Sequence, residues 1–99
     1  MSDGFVLYGG QGTGAVAVEA ALVLAGQAYE LVDVPDAQTL ARLLPQMRQV
    51  PLLVLPDGER MTESEAILLR VAELFPASGI APGPADPGRG QYLRWMSFV

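Results

Sequence analysis

The 99-residue chain contains neither cysteine nor histidine, and all six of its basic residues are arginine. Without cysteine there are no disulfides and no thiol nucleophile. Without histidine there is no imidazole base, and the usual zinc ligands are missing together. Chemistry in such a chain must come from hydroxyls, carboxylates, guanidinium groups or backbone dipoles. The six scattered arginines face 11 acidic residues, for a net charge of −5. That balance lacks the basic face that releases counterions from a nucleic acid, so no nucleic-acid partner is expected. No uncharged apolar run reaches membrane-spanning length, so no membrane partner is expected either. The opening MSDGFVLYGG has no basic segment followed by a long apolar run, which speaks against a signal peptide and for a cytoplasmic setting. What is present is apolar: 51% of the residues are hydrophobic, too many for a disordered chain and enough for one small domain.

Phe5 to Tyr8 is a short apolar run that enters the glycine-rich stretch 9–14, a strand followed by a turn. Ten of the eleven residues from Ala15 to Ala25 are apolar, only Glu19 breaks the run, and Gly26 stops it. The length and the glycine stop predict a helix, and its apolarity all round predicts burial on more than one side. A second strand is expected over 29–34, closed by Pro35-Asp36. A short helix is expected over 37–44, before Pro45. Leu52–Leu55 is a third strand. Pro56-Asp57-Gly58 is a turn, with proline presetting φ and glycine accepting a positive φ, and a short strand over 59–61 completes a β-hairpin. Thr62 and Glu65 have capping-box spacing, and the apolar positions after them predict a helix over 64–75 that ends before Pro76. Eight of the fifteen residues from Pro76 to Gly90 are proline or glycine, the composition of a linker. Gln91–Val99 reads as the start of another helix whose Trp95, Met96 and Phe98 need a surface to bury against.

Three stretches carry chemistry. Gly12-Thr13-Gly14-Ala15-Val16-Ala17 has the G-x-G-x-x-A form after a strand, with Asp33 twenty-one positions beyond Gly12. That is the spacing of a dinucleotide-binding turn with its ribose-binding acid, although a hairpin follows in place of a third βα unit. It is not a P-loop, because Ala15 and Val16 replace the lysine and hydroxyl residue. Val50-Pro51 directly precedes a strand: either an ordinary trans proline at a strand start, or a cis bond that turns the Val50 backbone toward a ligand. Thr62-Glu63-Ser64-Glu65 opens a helix. Its free N–H groups and positive dipole end suit a carboxylate, the Ser64 hydroxyl adds a donor, and Glu63 accepts from an ammonium. A ligand carrying both an amine and a carboxylate would be read by both halves. Beside these readings stand plain ones: a helix start, core tyrosines at Tyr8, Tyr29 and Tyr92, and packing methionines at Met47 and Met61.

Taken in order, Gln49-Val50-Pro51-Leu52-Leu53-Val54-Leu55, Asp57-Gly58 and Thr62-Glu63-Ser64-Glu65-Ala66-Ile67 resemble the N-terminal, thioredoxin-like domain of bacterial glutathione transferases. FVLYGG and the apolar helix behind it resemble that family's first βα unit. The resemblance implies an α/β fold, thioredoxin-like βαβαββα. Its mixed four-stranded sheet would run 2-1-3-4, with the 15–25 and 64–75 helices on one face. It implies a transferase that binds glutathione as co-substrate, without a metal, and stabilises its thiolate for attack on a small electrophilic substrate in detoxification. Val50 would pair its backbone with the cysteinyl part, with Pro51 cis. Glu63 and Ser64 would hold the γ-glutamyl amine and carboxylate, and Gln49 would sit near the glycyl end.

The chain departs from the family at the reactive position. Gly14 falls about where bacterial relatives carry cysteine, Thr13 is the only hydroxyl of the turn, and Tyr8 ends the first strand where tyrosine-type members carry their catalytic residue. Thr13 and Tyr8 are therefore the catalytic candidates. The missing cysteine and serine also allow a non-catalytic member that kept the fold for binding or dimerisation, and the glycine turn with Asp33 allows a dinucleotide-binding Rossmann fragment. The expected organisation is a glutathione-binding domain over 1–76, a linker over 77–90 and the start of an all-helical second domain over 91–99. The full-length protein is expected to be a homodimer.

Overall fold

A computed structural model describes residues 4–10, 13–46 and 49–98. The chain runs β1 (Phe5–Gly9), α1 (Ala15–Leu24), β2 (Tyr29–Asp33), α2 (Ala37–Leu43), β3 (Leu52–Val54), β4 (Arg60–Met61), α3 (Ser64–Leu74), a 3-10 turn (Pro76–Ser78) and α4 (Arg89–Ser97). β1 lies parallel to β2, with Leu7 opposite Leu31, and antiparallel to β3, with Leu7 opposite Leu53. β4 closes the hairpin beside β3, so the sheet order is β2-β1-β3-β4. This is the expected thioredoxin-like α/β arrangement. The antiparallel β3–β4 pair stands where a Rossmann unit would add a third parallel strand.

Local chemistry sets the element boundaries. α1 ends in a Schellman arrangement: Gly26 N–H donates to Val23 carbonyl and Gln27 N–H to Leu22 carbonyl, with Gly26 at φ +71°. α2 is capped by Asp36, whose carboxylate accepts the Thr39 N–H at 2.8 Å. The hairpin turn uses Gly58 at φ +94°, with Gly58 N–H donating to Leu55 carbonyl at 2.8 Å. The Pro/Gly-rich stretch after Pro76 is tied down by hydrogen bonds, two of them from or to side chains near its end. Gly83 N–H donates to Asp86 at 2.7 Å, and Arg89 donates to the Pro82 carbonyl at 2.9 Å.

Strand alternation sends Phe5 and Leu7 to one face of the sheet. There they join Leu53 and Leu55, Ala15, Val18, Ala21 and Leu22 of α1, and Ile67 and Val71 of α3 in one core. α1 and α3 therefore share a face and pack on each other, as expected. α1 departs from its expected burial on more than one side, since Val16, Val23 and Leu24 are 65%, 62% and 67% exposed. Only part of its outer side is covered: Ala17, Ala20 and Leu24 line a cavity of about 270 Å³ with Leu68 of α3 and Tyr92 and Met96 of α4. The helix is apolar all round, but one sheet face can cover only one of its sides. Trp95 of α4 and Phe98, its C-cap residue, stay 58% and 72% exposed, edge to face with ring centroids 5.5 Å apart. No helix among the described residues is long and apolar enough to cross a membrane.

Candidate functional site

The packing of α1 on α3 over the sheet brings three chain segments to one point. Gly14 is the N-cap of α1 and Ser64 the first residue of α3. A Cβ added to Gly14 would lie 2.8 Å from the Ser64 Cβ, 3.0 Å from its Oγ and 3.6 Å from the Pro51 Cδ. The two helix starts and the loop before β3 thus meet with no space for a side chain at Gly14. The Val50–Pro51 bond in that loop is cis, as the resemblance implied, and Pro51 is buried.

The start of α3 differs from the capping-box expectation. Its N-cap is Glu63, not Thr62, and no side chain caps the first turn. The reason lies in the backbone: Glu63 takes φ +69°, ψ +106°, so the chain turns into the helix one residue later than Thr62–Glu65 spacing assumes. The Glu63 carbonyl accepts the Ile67 N–H at 3.0 Å. The remaining first-turn N–H groups keep the positive end of the helix open to an anion. Among the described residues the Ser64 hydroxyl has no hydrogen-bond partner, and its oxygen is not sealed from solvent. The Glu63 side chain is exposed, and its carboxylate accepts a hydrogen bond from the side-chain amide of Gln49.

Thr13 is differently engaged. Its hydroxyl donates to the Gly10 carbonyl at 2.6 Å, while its oxygen accepts from the N–H groups of Gly10 at 3.3 Å and Ala15 at 3.2 Å. The single hydroxyl proton is committed to the turn, so donation to an incoming sulfur requires breaking the bond to Gly10. Tyr8 pairs with Leu52 in β3 and, one position from Leu7, projects to the sheet face away from α1 and α3. Its hydroxyl has no partner among the described residues. Asp33 ends β2, and Gly12 lies outside the described residues, as do Met47 and Arg48.

The structure therefore gathers Gly14, Pro51, Ser64, Glu63 and Gln49. Two features of this cluster had no signal in local sequence. The Gly14–Ser64 approach joins positions fifty residues apart, and the Gln49–Glu63 bond joins two loops. Among the described residues no group of three acidic side chains could hold a metal ion.

A family model described as "Glutathione S-transferase, N-terminal domain" matches residues 15–80. A maize (Zea mays) protein named "Probable glutathione S-transferase BZ2" is 34% identical over 89 residues, covering 80% of this chain and 38% of that protein. The crystal structure of a glutathione transferase from Methylococcus capsulatus aligns with a TM-score of 0.82 at 32% identity, over 96% of this chain and 50% of that one. A sphingomonad glutathione S-transferase complexed with glutathione aligns with a TM-score of 0.78 at 34% identity, over 94% of this chain and 49% of that one. The chain thus spans about half the length of these solved relatives, and less of the maize protein.

Proposed function

Because the chain belongs to the glutathione S-transferase family, we propose that it binds glutathione where Gly14, Pro51 and Ser64 meet, and that it activates the thiol for attack on a small electrophile. The observation that carries this reading is the uncapped start of α3, with the unpartnered Ser64 hydroxyl and the outward Glu63 carboxylate side by side. One end of glutathione carries an α-carboxylate and an α-ammonium on the same carbon. Ser64 and the first-turn amides receive the carboxylate, and Glu63 receives the ammonium. The Val50 backbone pairs with the cysteinyl peptide group. A sphingomonad relative holds glutathione, which supports the ligand class.

The thiol chemistry follows from pKa arithmetic. A free thiol has a pKa near ~8.5 and is mostly protonated at neutral pH. Lowering it by one unit needs about 1.4 kcal/mol of differential stabilisation, within reach of one hydrogen bond to the charged sulfur. The positive end of α1 acts in the same direction. Thr13, at the start of that helix, is the proposed donor, and Tyr8 is the alternative. The nucleophile is the ligand's own sulfur, so the lack of cysteine and histidine is no obstacle. The thiol gives its proton to water, the resulting thiolate forms the new carbon–sulfur bond, and the leaving group departs with the electron pair of the bond that breaks.

One observation favours a second reading, a glutathione-binding member without catalysis: the Thr13 hydroxyl proton is already spent on Gly10. Retention on immobilised glutathione, followed by a conjugation assay with a chromogenic electrophile, tests both. Retention with turnover supports the enzyme, retention without turnover supports the binding protein, and loss of retention removes both. Partners beyond glutathione, a homodimer, and the division into a 1–76 domain, a 77–90 linker and a further helical domain from 91 belong to this proposal.

A further inference from the structure

We propose, resting on the glutathione-binding reading above, that Gln49 is a positioning residue. Its amide orients the Glu63 carboxylate toward the ligand ammonium, in place of the glycyl contact that the family resemblance implies for it. A carboxylate only accepts hydrogen bonds, so the Gln49 group facing Glu63 must be its NH₂. One of the two N–H donors of that NH₂ is engaged by Glu63, which fixes the amide plane toward the carboxylate. Glu63 needs such a partner. Its side chain is exposed, its backbone is held at φ +69°, and its carboxylate makes no capping bond to the helix that follows it. The chemistry of the partner also matters. Gln49 is neutral, and the one ion pair among the described residues is Arg70–Glu73, on the exposed side of α3. An amide fixes the direction of the carboxylate without neutralising it. An arginine in its place would offset the charge that an ammonium is to meet. Geometry completes the case. Gln49 lies two residues before Pro51, and Glu63 lies immediately before Ser64. Pro51 and Ser64 both border Gly14, so the Gln49–Glu63 bond ties together the same two loops that frame the site.

The test is isothermal titration of the protein and its Gln49→Ala, Glu63→Ala and double variants with three ligands. These are glutathione, an analogue lacking the α-amine (γ-glutaryl-cysteinylglycine), and γ-glutamylcysteine, which lacks the glycine. Gln49→Ala is expected to weaken glutathione and γ-glutamylcysteine about tenfold, the scale of a hydrogen bond to a charged group. For the amine-free analogue, and in the Glu63→Ala background, the same change is expected to cost less than about twofold, because the orienting bond then has nothing to orient. Three outcomes overturn the positioning role alone: an unchanged affinity in Gln49→Ala, an equal loss in both Glu63 backgrounds, or a loss that vanishes only for γ-glutamylcysteine. The last would mark a direct glycyl contact. Absence of glutathione binding by the unsubstituted protein overturns the binding reading, and this inference with it.

Discussion

Gly14 and Ser64 close the gap between the first turns of α1 and α3: the hydrogen of one and the CH₂OH group of the other share a space in which a methyl group would sit 2.8 Å from the Ser64 Cβ. The obstructing atom is a Cβ, which cannot swing aside without moving the helix. Gly14→Ala is therefore expected to lower stability by about 1–3 kcal/mol through overpacking. Its gain from a stiffer unfolded chain, about 0.4–1 kcal/mol, does not offset that. Urea denaturation at constant m-value measures it, and a stability equal to wild type contradicts the close approach.

Ser64→Ala separates the packing of this contact from its chemistry, because alanine keeps the Cβ against Gly14 and removes only the hydroxyl. Stability should stay within about 0.5 kcal/mol of wild type, while glutathione binding weakens by about 1–3 kcal/mol through the lost donor to a carboxylate. Calorimetry showing unchanged affinity would take Ser64 out of the site.

Thr13 and Tyr8 are distinguished by the thiol pKa of bound glutathione, read from thiolate absorbance. Thr13→Val should raise it by about one unit, a difference of about 1.4 kcal/mol, if Thr13 is the donor. Tyr8→Phe should then leave it unchanged, and the opposite pattern would exchange the roles. Thr13→Val should in either case cost about 1–3 kcal/mol of stability, since the N–H groups of Gly10 and Ala15 lose their shared acceptor.

Gly26 closes α1 at φ +71° with no atom within 4 Å of a Cβ placed on it. Substitution by alanine meets no clash, only the left-handed backbone cost of about 1–2 kcal/mol, partly offset through the unfolded state. A net loss of about 1 kcal/mol in thermal or urea unfolding is expected, with ligand binding unaltered.

Asp36 supplies a pH signature away from the site. Its hydrogen bond from the Thr39 N–H holds its carboxyl below the ordinary aspartate value. A carboxyl with a lowered folded-state pKa stabilises the fold above its unfolded value, and that contribution is lost as pH falls through the folded one. Asp36→Ala should therefore be less stable than wild type at neutral pH, with the gap closing in the acid range below about pH 4. A gap that does not narrow on acidification would mean that the cap is not the source of the difference.

The legible part of this protein is the part decided within a few residues. FVLY followed by glycines, the apolar stretch stopped by Gly26, and Pro56-Asp57-Gly58 specify strand, helix and hairpin through φ preferences and hydrogen bonds of short reach. The fold class and the Val50-Pro51 and Glu63-Ser64 segments of the site follow from those elements and from the family resemblance. The same short-range reasoning placed the cap of α3 at Thr62, where the backbone of Glu63 moves it one residue on. It also read an α1 that is apolar all round as buried on more than one side, although most of its outer side is uncovered.

Only the tertiary structure decided what meets at the site. Gly14 touches Ser64 because α1 and α3 lie together over Leu7 and Leu53. Gln49 reaches Glu63 because the β3–β4 hairpin folds the loop before Pro51 back beside the start of α3. Periodicity and turn chemistry act over one to four residues. The distances that decide which groups stay open to a ligand are set by packing between segments up to fifty residues apart, and no local pattern carries them.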